Sequence, residues 1–309
     1  MVTIKESTSR HPGAIEQKLF REDGLGRKGI DTLKEAGITF TRGIEPADIG
    51  ISKHGDFVCG VPEKKCILLI GEPPIYYGLW NKQLNKKEYK NQFLAVMNTC
   101  KVDPDDYHFV IPQAFQTSTN YFNEEKDKFL CTVLRNKKRN VWFNNLFLSL
   151  LKYRKNSLLQ LRHEYDAFFC KERYDYHSFG NGWCKKCFYG EVHNAYSTIS
   201  HYKFNFCPEN SSFEGYITEK PIQAIISGSI PVYTGPPDID KYLPKETYVD
   251  ITDFPYKEDL FSYLYYIDEN TYRNYLFNMK KFIISDKSKP FSSVTFANKL
   301  IQIIEENHR

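Results

Sequence analysis

At 309 residues, 41% hydrophobic and 16% aromatic, the chain carries enough apolar material for one large α/β domain or two smaller ones, which excludes a globally disordered protein. A formal net charge of +4 is too weak for a nucleic-acid partner and suits a small anionic ligand instead. Met1 is followed by VTIKESTSRHPG, which has no apolar signal region, and no run approaches the ~20 apolar residues of a membrane span. A soluble protein is therefore expected, cytoplasmic or peripheral to a membrane.

In chain order, residues 28–36 read as a helix stopped near Gly37, and residues 47–52 and 56–59 as short strands. CILLI, Cys66–Ile70, is the continuous apolar run of a strand buried on both faces. It ends at Gly71-Glu72-Pro73-Pro74, and residues 107–111 follow as another strand. This alternation predicts an α/β architecture. The polar stretch 120–128 marks the boundary between an N-terminal domain, residues 1–125, and a C-terminal domain, residues 126–309. FLCTVL, residues 129–134, opens the second domain, and residues 140–153 have helical periodicity. Residues 154–193 receive no assignment.

The chain has eight cysteines, too few at this length for a disulfide scaffold. Cys66, Cys131 and Cys207 lie in apolar runs and read as buried thiols. Cys184-x-x-Cys187 lacks the second pair that a four-ligand zinc site needs, so it reads as a local disulfide or two free thiols.

The pattern sharpens from residue 202. Residues 202–207 form a strand and 208–215 a loop. Thr218 is placed to cap a helix with Pro221 in its first turn, and Gly228 stops it. Residues 229–233 form the next strand. Strand, loop, helix and strand within about thirty residues make a βαβ unit, which requires a parallel sheet. The final helix spans 294–306, and its return to the first domain is left open.

Ligands of open parallel sheets bind at the carboxyl ends of strands. Here the loop leads into a helix N-terminus, whose free N–H groups and dipole attract phosphate. Lys220 adds a formal charge, Glu219 suits sugar hydroxyls, and Tyr216 can stack on a ring or donate a hydrogen bond. Thr218-Glu219 alone would be an ordinary helix start, but the surrounding strands favour a ligand site. Asp238-Ile239-Asp240 reads as a turn and helix start, not a metal site.

FNFCPENSSFEGYITEKPIQAIISGSIPVYTGPP, followed by YLPKETYVDITDF, resembles the donor-binding region of the α1,3/4-fucosyltransferases, glycosyltransferase family 10. The resemblance rests on Glu209-Asn210-Ser211, Gly215 to Lys220, Gly228 to Gly235, Pro244 to Tyr248, and Asp253-Phe254, in that order. It implies a GT-B architecture of two Rossmann-like domains facing across a cleft. The C-terminal domain would bind GDP-fucose and the N-terminal domain would meet a glycan acceptor. By resemblance, Asn210, Tyr216, Glu219 and Lys220 contact the donor, and Arg139, with Arg135 as the fallback, holds its diphosphate. Glu72 would be the general base of an inverting transfer to a GlcNAc- or Glc-containing glycan, with an α1,3-type linkage. The reaction would need no metal cofactor, stimulation by Mn²⁺ or Mg²⁺ being left open. The alternatives are the same fold with another nucleotide sugar, or a catalytically silent nucleotide- or carbohydrate-binding protein.

Overall fold

The computed structural model describes residues 1–6, 26–41, 47–53, 58, 60–75, 82–111, 121–134, 156–171, 175–180 and 186–307. The helix expected over 140–153, most of the strand expected over 56–59, Arg135, Arg139 and Cys184 lie outside them. The chain divides into two compact units. The first is Met1–Thr117 with Phe213–Tyr216 and Lys289–Arg309, and the second is Ser118–Ser212 with Ile217–Ser288. The sequence had set a single boundary at residue 125.

The first unit holds β1 (Val2–Glu6), α1 (Gly26–Glu35), β2 (Ile38–Phe40), β3 (Ile49–Lys53), β4 (Cys66–Ile70), α2 (Lys87–Lys90), β5 (Ala95–Asn98) and β6 (Tyr107–His108). Its last helix, α8 (Ser293–Asn307), comes from the far end of the chain. The strands form one parallel sheet in the order β2-β1-β3-β4-β5-β6. β4 explains why its sequence is apolar throughout. Ile67 and Leu69 join a core with Ile4, Leu33, Ile49 and Met97, while Cys66, Leu68 and Ile70 join a second with Val58, Tyr89 and Phe93. The first core is closed by Phe296, Ala297, Leu300, Ile303 and Ile304 of α8, so the last helix does return to the first unit. β1 escaped the sequence reading because its buried residues include Lys5 and Glu6, the latter ion-paired with Lys53.

The second unit holds β7 (Lys128–Val133), α3 (Leu159–Lys171), β8 (Tyr176–Phe179), β9 (Phe188–Gly190), α4 (Ala195–Ile199), β10 (Tyr202–Phe206), α5 (Glu219–Ile226), β11 (Ile230–Tyr233), β12 (Val249–Asp250), α6 (Lys257–Tyr266) and α7 (Glu269–Ile283). Its sheet is also parallel, in the order β12-β11-β10-β7-β8-β9. The core is aromatic. Phe169 of α3 meets Phe206 edge-on at 5.4 Å, and Tyr165 packs on the same ring at 5.5 Å. Residues 154–193, left unassigned from sequence, thus supply a helix and two strands.

Cys66, Cys131 and Cys207 are free and buried, as expected. Cys187 is joined to Cys170 at the end of α3, not to Cys184. The spacing of the Cys-x-x-Cys pair hid this partner, which lies 17 residues upstream. No described helix is long and apolar enough to cross a membrane.

Candidate functional site

β10 ends at Phe206, and its carboxyl end delivers the chain into the loop that precedes α5. Two backbone links fasten that loop. The N–H of Leu158 donates to the Asn210 carbonyl at 2.9 Å, and the N–H of Ser212 donates to the Asn156 carbonyl at 2.7 Å. Ser157 and Ser211 form an antiparallel bridge between these contacts. Asn210 and Ser211 are both buried, and the Ser211 hydroxyl has no hydrogen-bond partner among the described residues.

The chain then passes through the first unit at Phe213–Tyr216. Gly215 takes φ +77, a conformation that glycine reaches without strain. Its carbonyl lies 3.1 Å from His108 Nε2, and a Cβ there would meet that ring nitrogen at 2.5 Å. Tyr216, expected to stack on a ring or donate a hydrogen bond, is 2% exposed.

Thr218 occupies the N-cap position of α5 as expected, but its side chain does not cap the helix. Its hydroxyl donates to Glu209, 2.8 Å from Oε1, and its N–H reaches the same oxygen at 2.8 Å. Lys220 Nζ donates to Glu209 Oε2 at 2.9 Å and to Thr218 Oγ1 at 2.6 Å. The Tyr233 hydroxyl, at the end of β11, donates to Glu209 Oε1 at 3.3 Å. Glu209 is 0% exposed, so a buried carboxylate organises the whole helix start. Sequence reasoning placed Glu209 in the resembling motif but gave it no role. The signal available was its position in a loop beside two later hydroxyl-bearing residues, Thr218 and Tyr233.

The electrostatics follow from this packing. Burial pulls the Lys220 ammonium down, but the carboxylates of Glu209 and Glu219 outweigh it and hold the group above its ordinary value. Burial pushes the Glu219 carboxyl up, and Lys220 together with the backbone N–H of Glu219 brings it below the usual carboxylate range. Glu219 Oε1 stands 3.7 Å from the ammonium, and the Glu219 side chain remains 39% exposed. Glu219 is therefore open to a ligand while Glu209 is not. Gly235 is needed beside them, because a Cβ there would collide with the Tyr233 hydroxyl and lie 3.1 Å from Glu209 Cγ.

Of the residues expected at the site, Glu219 and Lys220 meet at the start of α5, and Asn210 lies in the same unit on the loop that precedes it. Glu72 lies in the first unit, half-exposed just past the carboxyl end of β4. Asp238 and Asp240 sit at a turn and a short 3₁₀ helix, with Asp238 3.6 Å from Lys241, as the sequence indicated. Among the described residues no group of three or more His, Cys, Asp or Glu is arranged to hold a metal ion.

Residues 154–307 match the model of the glycosyltransferase family 10 (fucosyltransferase) C-terminal region. An α-(1,3)-fucosyltransferase, FucT, of Helicobacter pylori is 32% identical over 107 residues, covering 34% of this chain. The aligned segment spans 22% of that relative, about a fifth of its length. In fold, the whole chain resembles an α1,3-fucosyltransferase solved with GDP-fucose. The TM-score is 0.60 at 18% identity, covering 98% of this chain and 90% of that one. An α-glucosyltransferase (AGT) solved in complex with UDP is similar to nearly the same extent, with a TM-score of 0.58 at 10% identity, covering 98% of this chain and 100% of that one. These are GT-B glycosyltransferases, and the two parallel-sheet units are the GT-B architecture expected from the sequence. Through residues 154–307, the chain belongs to glycosyltransferase family 10, the fucosyltransferases.

Proposed function

We infer that this chain is an inverting fucosyltransferase that moves L-fucose from GDP-fucose to a hydroxyl of a glycan containing GlcNAc or glucose, through an α1,3-type linkage. The observation that carries the reading is the helix start at Thr218-Glu219-Lys220. It stands at the carboxyl end of β10, inside the segment that matches the family model. A diphosphate is suited to such a helix end, where N–H groups and the dipole favour negative charge. Lys220 supplies a held cation, Glu219 an accessible carboxylate for sugar hydroxyls, and Asn210 a polar side chain on the adjoining loop.

In the proposed reaction, Glu72 takes the proton of the acceptor hydroxyl. The new C–O bond forms at the anomeric carbon as its bond to the GDP oxygen breaks. One displacement converts the β-linked donor into an α-linked L-fucoside. A carboxylate past the carboxyl end of a strand is suited to the base role. The leaving diphosphate is stabilised by Lys220 and the end of α5, so transfer proceeds without a metal.

The test is incubation with a panel of nucleotide sugars and a glycan array, followed by identification of the product. Fucosylation from GDP-fucose is expected. Transfer from a UDP-sugar instead would change the donor, and binding without transfer would favour a silent binding protein. Glu72→Gln should bind GDP-fucose as the parent does and lose turnover, and retained turnover would clear Glu72. Activity should survive EDTA, whereas loss restored by Mn²⁺ would overturn the metal-free route.

A further inference from the structure

We propose that Glu209 is a positioning residue of the donor site, holding the Lys220 ammonium and the Thr218 amide so that one ammonium N–H is kept for a diphosphate oxygen. This rests on the donor reading above, and it assigns a role to a carboxylate that no substrate can reach.

An ammonium has three N–H donors. In Lys220 two of them go to Glu209 Oε2 at 2.9 Å and Thr218 Oγ1 at 2.6 Å. Glu219, at 3.7 Å, is too far for a hydrogen bond, which leaves the third donor for a ligand. The Lys220 side chain is only 12% exposed, so its direction of approach is fixed by the packing around it. Left alone, this cation would be in a poor place. It stands at the positive end of a helix dipole, and burial favours the neutral amine. The Arg162 guanidinium, itself buried, opposes its charge as well. Glu209, at hydrogen-bond distance, and Glu219, farther off, together offset these effects.

The carboxylate is held as firmly as it holds. Its two oxygens receive the Thr218 N–H and hydroxyl, the Lys220 ammonium and the Tyr233 hydroxyl, from α5 on one side and β11 on the other. Gly235 leaves the space for the tyrosine hydroxyl. A glutamine in place of Glu209 would keep the shape but turn an amide N–H₂ toward groups that donate. A flexible lysine stem would then lose its anchor.

The test is a double-mutant cycle on GDP affinity, measured by calorimetry on the full chain. Glu209→Gln should weaken GDP binding roughly ten- to hundredfold. In a Lys220→Met background the same change should cost less than about twofold, because its effect passes through the ammonium. Equal losses in both backgrounds would mean that Glu209 merely supports the fold, and would overturn the proposal. Should Glu209→Gln fail to fold, Thr218→Val serves in its place. It should weaken GDP binding several-fold in the parent and not in Lys220→Met, and an unchanged affinity in the parent overturns the proposal. A second readout needs no donor. With lysines ¹³C-methylated, the Lys220 resonance should titrate at lower pH in Glu209→Gln, and an unmoved titration would show that Glu209 does not hold the ammonium. If the parent binds no GDP, the donor reading falls, while the Lys220 titration still decides whether this ion pair exists.

Discussion

The two ends of α5 treat a lysine in opposite ways. At the N-terminus Lys220 stands where the helix dipole repels a cation, yet Glu209 and Glu219 hold its ammonium above the ordinary value. At the C-terminus Lys126 Nζ donates to the carbonyls of Ser227 at 3.0 Å and Ser200 at 2.8 Å, the end that the dipole favours for a cation. Yet burial pulls the Lys126 amine down to about 8, because carbonyls stand where a carboxylate would be needed and the nearby Asp127 charge does not make up the difference. A formal negative charge at 2.9 Å therefore outweighs the partial charges of a helix end. It also separates the lysine proposed to meet an anionic ligand from one that ties two helix ends together.

The largest effect that would break this comparison is loss of ligand binding from one end alone. Lys220→Ala should weaken GDP-fucose binding roughly hundredfold in calorimetry, still within the measurable range, while Lys126→Ala should bind as the parent does. Equal affinities in the parent and Lys220→Ala would remove the donor assignment.

The glycines beside each end give a second contrast. Gly228, at φ +69, would bring a Cβ to 2.6 Å from the Asn123 carbonyl oxygen, so Gly228→Ala should cost about 1–3 kcal/mol in denaturant unfolding without altering GDP affinity in the folded fraction. Gly235→Ala should lower stability by a similar amount and weaken GDP binding as well, because the new methyl group presses on Tyr233 and Glu209. If both variants change affinity alike, the two ends are not independent.

The smallest effect is in pH dependence. The Lys126 amine titrates near 8 in the folded chain and near the ordinary lysine value of 10.5 when unfolded. Between those values the unfolded chain binds more protons, so this group makes stability rise with pH. With Lys126 partly exposed, the rise from pH 8 to 10 should be of the order of 1–2 kcal/mol. Urea unfolding of Lys126→Met should lack that component, and an identical pH profile would mean that burial at this end costs the charge little.

Much of the second unit was legible because its signals are local. Strand β10, the loop, the helix start at Thr218 and the stop at Gly228 were all read from residue types with fixed backbone preferences. The same held for β4, where burial on both faces leaves no polar residue in the sequence. The partners of Glu209 were not legible, since Thr218, Lys220 and Tyr233 follow it by 9, 11 and 24 residues and only the βαβ path joins them. Thr218 illustrates the limit. Its position was right, but a neighbouring carboxylate took the hydroxyl that propensity assigns to the helix. β1 was missed for a related reason, because Lys5 and Glu6 are buried in the fold and read as surface in the sequence. Cys170 and Cys187 were not paired from sequence because a helix end and a strand edge, not a short spacing, bring them together.

The closing of the first core by α8 has a consequence for synthesis. A ribosome releases the chain from its beginning, yet Ile4 and Leu33 must wait for Leu300 and Ile304 before their core is complete. The second unit ends at Ser288 and can finish its sheet earlier. The order of maturation is then the reverse of the order of translation. Until the last turn of α8 has emerged, the nascent first unit exposes an apolar sheet face that chaperones would recognise.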